Sequence, residues 1–189
     1  MKTSVFIASS LDGYIAREDG NLDWLMAATP VNDEHGYDAF MAGIDAIVMG
    51  RYTFETVLGF DEWPYEGKRV VVLSRLLDEI PASLQGKVEV HPGPVRLLYD
   101  ALEAGGCKGL YVDGGQTVQS FLREALVDEL TITTIPILLG SGIPLFGHTG
   151  HDIPLRHLST RRLPGGLVQD VYSTRLIGSE QLDSEAPHA

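Results

Sequence analysis

The stretch Leu110–Leu126, LYVDGGQTVQSFLREAL, decides the fold. It opens with a short apolar run that is typical of a strand, and Val118, Phe121 and Leu122 then follow at the spacing of one helical face. The period changes at Gly114-Gly115, where missing side chains allow tight turns and close backbone approaches. A helix that begins there presents unpaired N–H groups and its positive dipole end. The stretch therefore predicts a strand, a turn and an anion-binding helix start, although a glycine pair that only turns the chain is an alternative.

Strand ends of the same kind occur twice upstream. The strand-like run 46–49 leads directly into Gly50–Glu55, and the continuous apolar run 70–73 ends at Ser74 and Arg75. Such runs are typical of parallel strands that are covered on both faces. Because ligands bind at the carboxyl ends of parallel strands, the three strand ends predict one ligand-binding rim.

Toward the C-terminus, consecutive predicted strands replace the alternation of strands and helices. The segment 130–139 is strand-like but contains Pro136, and the segments 155–163 and 167–176 predict a hairpin. The order predicts a single-domain, three-layer α/β fold: a mixed, mostly parallel central sheet with helices on both faces and an antiparallel C-terminal hairpin. We expect the domain to span residues 1–177, with residues 178–189 forming a flexible acidic tail.

Composition excludes several classes of function. The formal net charge of −12 over 189 residues argues against nonspecific binding to nucleic acid or to anionic membranes. Cys107 is the only cysteine, so neither an intrachain disulfide nor a thiol-rich metal site can form, and the six histidines show no metal-binding spacing. No secretory signal and no apolar stretch of about 20 residues is present, which predicts a cytoplasmic protein.

The motifs resemble the dihydrofolate reductase superfamily over residues 3–175. The resemblance rests on Ala8, the segments 11–15 and 49–55, Trp24, the segment 72–75 and Gly114-Gly115, which occur in the order of that family's cofactor-binding segments. The segments 113–122, 126–130 and 136–140 are more similar to the reductase domain of the bifunctional riboflavin-biosynthesis enzymes. The chain is identified as a stand-alone relative of that domain, with a dihydrofolate reductase-like fold. The zinc motif of the accompanying deaminase is absent, and one cysteine cannot supply it.

The resemblance implies NADPH as the cofactor and a homodimer as the assembly. Ser74 and Arg75 would contact the 2′-phosphate, and Ala8 and Ile15 would border the nicotinamide. The remaining expected cofactor residues are Gly50, Arg51, Tyr52, Thr53, Leu73, Gly114, Gly115, Gln116 and Thr117. A surface ion pair is the alternative role for each of the two arginines.

Asp113 is the leading candidate to bind or protonate a substrate. It lies between an apolar strand and the proposed cofactor turn, where desolvation raises a carboxyl pKa, although capping the next helix is an equal alternative. Asp12 is a second catalytic candidate. Trp24 is a catalytic and substrate-stacking candidate, with core packing as its alternative, and Glu34 and Asp38 are the candidate substrate acids.

These features predict an NADPH-dependent oxidoreductase. Its substrate would be a small planar heterocycle, pterin- or pyrimidine-like, or a related carbonyl or imine. Two alternatives remain: a 5-amino-6-(5-phosphoribosylamino)uracil reductase, and a noncatalytic NADPH-binding regulatory protein.

Overall fold

The computed structural model describes residues 1–28, 35–77 and 79–175. The strands are β1 Lys2–Ser10, β2 Tyr14–Ala16, β3 Ala46–Gly50, β4 Arg69–Leu73, β5 Val88–His91, β6 Gly109–Asp113, β7 Glu129–Ile135, β8 Ile143–Pro144, β9 Arg156–Arg162 and β10 Val168–Ser173. The helices are α1 Asp23–Ala28, α2 Tyr37–Ala42, α3 Arg51–Leu58, α4 Val95–Ala104 and α5 Gly115–Arg123.

Eight of these strands form one mixed sheet in the order β5-β4-β3-β6-β1-β7-β10-β9. Neighbouring strands from β5 to β7 are parallel, whereas β10 pairs antiparallel with both β7 and β9. The predicted parallel sheet with an antiparallel C-terminal hairpin is therefore confirmed.

Alternate side chains of the central strands enter two apolar layers. In β3, Val48 packs with helices α4 and α5 on one face, and Met49 packs with α3 on the other. In β6, Val112 packs in the layer of α4 and α5, and Tyr111 packs in the layer of α3. Burial on both faces explains why these strands read as unbroken apolar runs.

The segment around Pro136 differs from the expectation of a long strand whose proline marks a bulge or an edge position. Strand β7 ends at Ile135, and it lies between β1 and β10 within the sheet. Proline has no N–H to donate to a ladder, so the internal strand stops before it. Strands β2 and β8 form a second, two-stranded antiparallel sheet that the sequence did not predict.

The structure describes most of the expected domain, 1–177, but none of the expected tail. The domain itself is described as far as Arg175, whereas the predicted tail, 178–189, lies outside the described residues. Within the described residues, no helix has the length and apolar character needed to cross a bilayer.

Replacing Phe121 by alanine tests the layer beneath α5. Its side chain is completely buried, so Phe121→Ala should lower the free energy of unfolding by about 3–5 kcal/mol. Phe60→Ala is the matched control, because Phe60 is 48% exposed and should lose less than about 1 kcal/mol. Urea denaturation of both variants measures the difference, and equal losses would contradict the described packing.

Candidate active site

The carboxyl ends of four parallel strands lie side by side at one edge of the sheet. Gly50 of β3 is paired with Leu73 of β4, which is paired in turn with His91 of β5. On the other side, Met49 is paired with Asp113 of β6. The strand ends predicted to share a rim are therefore adjacent, as parallel pairing requires.

The turns that follow β3 and β6 interlock. A methyl group at Gly114 would lie 2.2 Å from the hydroxyl oxygen of Thr53, and one at Gly50 would lie 3.1 Å from that of Thr117. Gly114 also has a φ of +85°, a conformation that residues with side chains rarely adopt. The glycines are thus needed because protein atoms of one turn approach the backbone of the other.

This interlock brings the N-termini of α3 and α5 together at the rim. Neither helix has a side chain that caps its first turn, so unpaired N–H groups of both helices remain available. Two such termini with aligned positive dipole ends suit an anion such as a pyrophosphate.

Of the two predicted nicotinamide neighbours, Ile15 lies beside this turn. The Cδ1 atom of Ile15 would be 3.3 Å from a methyl group at Gly115, and the carbonyl oxygen of Pro144 would be 2.6 Å from it. Ala8 is partly buried against the apolar cluster of Trp24. Of the helix residues that follow Gly115, Thr117 is buried whereas Gln116 is exposed.

Arg51 has partners within its own helix. Its guanidinium lies 2.9 Å from the Glu55 carboxylate and 4.5 Å from the ring centre of the exposed Tyr52. The alternative of a local ion pair is therefore what the structure shows, although a half-exposed pair of this kind is weak and can exchange for a ligand phosphate.

A cleft of about 460 Å³ opens beside the ends of β4 and β5, against α5. Ser74, Arg75, His91 and Arg123 line it. Arg75 donates from Nε to the carbonyl of Pro92 at 3.2 Å, and none of the ion pairs among the described residues involves it. Two guanidinium groups thus give this cleft a local positive charge in an acidic protein.

Among the described residues that line the cleft, the single carboxylate belongs to Glu124, and it has its own cation. Arg96 Nε lies 3.6 Å from it. Within the described part of the chain, no carboxylate pairs with Arg75 or Arg123, which suits the phosphate that the family resemblance implies at Ser74 and Arg75.

Asp113 lies at the end of β6, partly exposed at the rim. Its Oδ1 accepts the N–H of Gly114 at 2.8 Å, and α5 has no side-chain cap, so the carboxylate does not cap the helix. Burial raises the pKa of Asp113, while this backbone bond and the phenols of Tyr111 and Tyr65 oppose the rise. A carboxyl group in such surroundings keeps its proton at a higher pH than an exposed one.

Three tyrosines around Asp113 are site residues that the sequence analysis missed. Tyr37 begins α2, Tyr65 precedes β4 and Tyr111 lies on β6, and burial raises the phenol pKa of each. They are far apart in the chain. The alternation in β6 places Tyr111 on the same face as Asp113, which was the one available signal.

Asp12 holds a loop rather than facing the cluster around Asp113. Its carboxylate accepts the Ser10 hydroxyl at 2.6 Å and the N–H groups of Leu139 and Gly140 at 3.1 and 2.8 Å. The Ser10 bond and these backbone bonds lower the pKa of Asp12, so it stays ionised. These contacts give Asp12 a structural role in holding the loop, and its catalytic role stays a prediction.

The other substrate candidates are dispersed. Trp24 is 4% exposed and packs on Ile135 and Leu167, which favours the core-packing alternative. Asp38 is exposed on α2, and its neighbour Tyr37 is the residue that faces Asp113. Glu34 lies outside the described residues.

A mixed α/β sheet with two helix N-termini and a basic cleft at one edge is the arrangement expected of the dihydrofolate reductase-like class. Residues 2–169 match the family model of the RibD C-terminal domain, and the chain belongs to that family. The expected riboflavin reductase-like classification is therefore confirmed.

Known relatives agree with this assignment. The uncharacterized protein YwjB of Bacillus subtilis is 35% identical over 175 residues, covering 90% of this chain and 97% of that protein. A crystal structure from Shewanella sp. PV-4, provisionally named a riboflavin biosynthesis protein, is 43% identical with a TM-score of 0.86, covering 92% of this chain and 98% of that one. The Thermotoga maritima deaminase and 5-amino-6-(5-phosphoribosylamino)uracil reductase shares the fold at 16% identity and a TM-score of 0.65, covering 91% of this chain and 56% of that one.

Gly114→Ala tests the interlock. The added methyl group would clash with Thr53 and strain a positive φ, so we expect a loss of about 2–5 kcal/mol in the free energy of unfolding. Gly67→Ala is the control, because its φ is +74° with open space around it and it should lose only about 1–2 kcal/mol. Adding Thr53→Ala should restore part of the difference in urea denaturation; no restoration would contradict the contact.

Asp113→Asn tests the buried carboxyl through pH. Because its pKa is raised in the folded state, the unfolded chain releases this proton first, and wild-type stability falls as pH rises from about 4 through the folded pKa. The variant should lack this decline. Asp12→Asn should behave oppositely, removing stability that the wild type loses as pH falls through the lowered pKa of Asp12. Unfolding measured between about pH 2 and 8 checks both signs, and a stability difference between wild type and Asp113→Asn that does not change with pH would contradict the raised pKa of Asp113.

Proposed function

We propose that this protein is an NADPH-dependent reductase that transfers a hydride to a small planar heterocycle, pterin- or pyrimidine-like, or to a related carbonyl or imine. One observation carries the proposal: two uncapped helix N-termini, a basic cleft and a shielded carboxyl group share one sheet edge. Membership of a reductase-like family supports it.

The residues at the rim fit NADPH. The first turns of α3 and α5, with Thr53 and Thr117 between them, would hold the pyrophosphate. Ser74 and Arg75 would hold the 2′-phosphate, and Ile15 with Gly115 would border the nicotinamide. The bound cofactor would supply the hydride, and the protein would align and shield it.

Asp113 is the proposed source of the accompanying proton. It lies at the same edge as the cofactor turn, and burial favours its protonated form. A positioned acid whose pKa approaches the working pH is an effective proton donor.

Homodimerisation and a cytoplasmic location complete the proposal. Strand β9 is exposed along its whole length at the edge of the sheet, and Leu155 and Leu158 add exposed apolar surface there. A second copy of the chain would cover this surface. Sedimentation of the purified protein measures the assembly directly.

Arg75→Ala tests the cofactor. Loss of a charge-assisted bond to the 2′-phosphate should weaken the binding of NADPH about 10-fold or more. The affinity for NADH should change by less than about twofold, and quenching of protein fluorescence measures both affinities. Arg69→Ala is the matched control, since Arg69 lies at the opposite end of the same strand and pairs with Glu89 at 2.8 Å. Equal losses for the two cofactors would remove the 2′-phosphate assignment.

Absorbance at 340 nm then follows NADPH oxidation across pterins, pyrimidines and a phosphoribosylaminouracil. Turnover of an unphosphorylated heterocycle supports the proposal, and preference for the phosphorylated compound favours the uracil reductase. Tight NADPH binding without oxidation of any compound would favour the noncatalytic regulatory protein.

A further inference from the structure

The two-stranded sheet of β2 and β8 lies against the first turn of α5. We call this pair of strands the small sheet; Ile15 belongs to β2 and Pro144 to β8. A methyl group at Gly115 would lie 2.6 Å from the carbonyl oxygen of Pro144 and 3.3 Å from Cδ1 of Ile15. The small sheet therefore contacts the helix turn that would border the nicotinamide.

Gln119 ties β8 to α5. It lies about one helical turn after Gly115, and its amide nitrogen donates to the carbonyls of Pro144 and Leu145 at 3.3 and 3.2 Å. Both partners are carbonyl oxygens, which can only accept, so the nitrogen end of the amide must face them. The two bonds fix two consecutive residues at the end of β8 on the surface of the helix.

Packing holds the Gln119 amide in this position. A methyl group at Gly147 would lie 2.5 Å from its Oε1 atom and 2.9 Å from its Cδ atom, so the backbone of the loop lies directly against the amide. Leu145 is 1% exposed and packs in the same apolar cluster as Phe121 of α5. The amide is thus enclosed by the segment that it binds, and its alternative rotamers are restricted.

Strand β8 in turn carries β2. Beside the strand pairing, the N–H of Leu145 donates to the carbonyl of Gly13 at 2.9 Å. The Asp12 carboxylate accepts two N–H groups at residues 139–140, in the loop that leads into β8. Because the two strands are bonded together at several points, a tie between β8 and α5 also fixes Ile15 beside the start of the helix.

A second tie lies one turn further along α5. Arg123 donates from Nη1 to the carbonyl of His148 at 3.3 Å, and it also lines the basic cleft. The segment 144–148 therefore follows α5 from the small sheet to the cleft. Of these two ties, Gln119 is the one next to the small sheet.

We propose that Gln119 is a positioning residue that holds the small sheet against α5 and thereby fixes the wall of Ile15 and Gly115 along which a nicotinamide ring would lie. Gln119 acts through β8 rather than by contact with the cofactor. This role rests on the proposed function, because the wall aligns a hydride donor only if NADPH binds at this rim.

Amide hydrogen exchange of the full chain, followed by NMR, tests the tie without cofactor. Gln119→Met keeps an unbranched side chain of similar length but has no N–H to donate. The amide of Leu145 should exchange at least about 10-fold faster in this variant, because β8 loses two hydrogen bonds to α5. Gln85→Met is the matched control, since Gln85 is exposed and precedes β5, and it should leave the rate unchanged. An unchanged Leu145 rate in folded Gln119→Met would overturn the proposal.

Ligand binding tests the wall. NADPH is compared by calorimetry with 2′-phospho-ADP-ribose, which keeps every phosphate but lacks the nicotinamide. Gln119→Met should weaken NADPH about 3- to 10-fold and 2′-phospho-ADP-ribose by less than about twofold, because only NADPH reaches the wall. Equal losses for the two ligands would overturn the role of Gln119 alone. Wild-type protein that binds neither ligand would refute the proposed function, and this role with it.

Gly147→Ala provides a second variant in which Gln119 itself is unchanged. The added methyl group would lie 2.5 Å from Oε1, so the amide must move away from its partners. We expect the same pattern, with faster exchange at Leu145 and a selective loss of NADPH affinity. Gly43→Ala is the control, because a methyl group there meets only an ordinary contact at 3.6 Å. Unchanged exchange and unchanged NADPH affinity in Gly147→Ala would overturn the proposal even if Gln119→Met failed to fold.

Discussion

The close approach of two strand-to-helix turns is the constraint on which the candidate site depends. Thr53 packs on the backbone of Gly114, and Thr117 packs near Gly50, so each turn occupies the space that the other leaves. Because both turns follow neighbouring parallel strands, their helices begin at the same edge. This one arrangement places the available helix N–H groups and the Asp113 carboxyl group at the same rim.

The antiparallel hairpin of β9 and β10, at one edge of the sheet, also supports the site. The buried Gln169 of β10 donates to the Thr133 hydroxyl at 2.9 Å and to the carbonyl of His35 at 3.2 Å. Arg161 of β9 also donates to the His35 carbonyl. His35 lies just before α2, so these bonds fix the helix that carries Tyr37. The hairpin therefore supports the start of α2, the helix that carries Tyr37.

Charge is distributed to match the proposed chemistry. The chain is strongly acidic, yet the cleft beside β4 keeps Arg75 and Arg123 available because Arg96 neutralises Glu124. Asp113 has the opposite environment, with phenols and no cation among the described residues. One sheet edge thus offers a basic cleft and a desolvated carboxyl group, two environments of opposite electrostatic character that the proposed reductase would use.

The sequence by itself determined the layers and the rim. Unbroken apolar runs predicted parallel strands, and the glycine pair after β6 predicted a helix start, because both are local consequences of burial and backbone freedom. Only the tertiary structure decided that Tyr37 and Tyr65 join Tyr111 in one packed cluster, since neither lies near Tyr111 in the chain. It also decided that Asp12 holds a loop and that Arg51 pairs with Glu55. The sequence gives the type of each residue. The groups that desolvate or bind a side chain come from distant parts of the chain, and these groups determine the pKa and reactivity of that side chain.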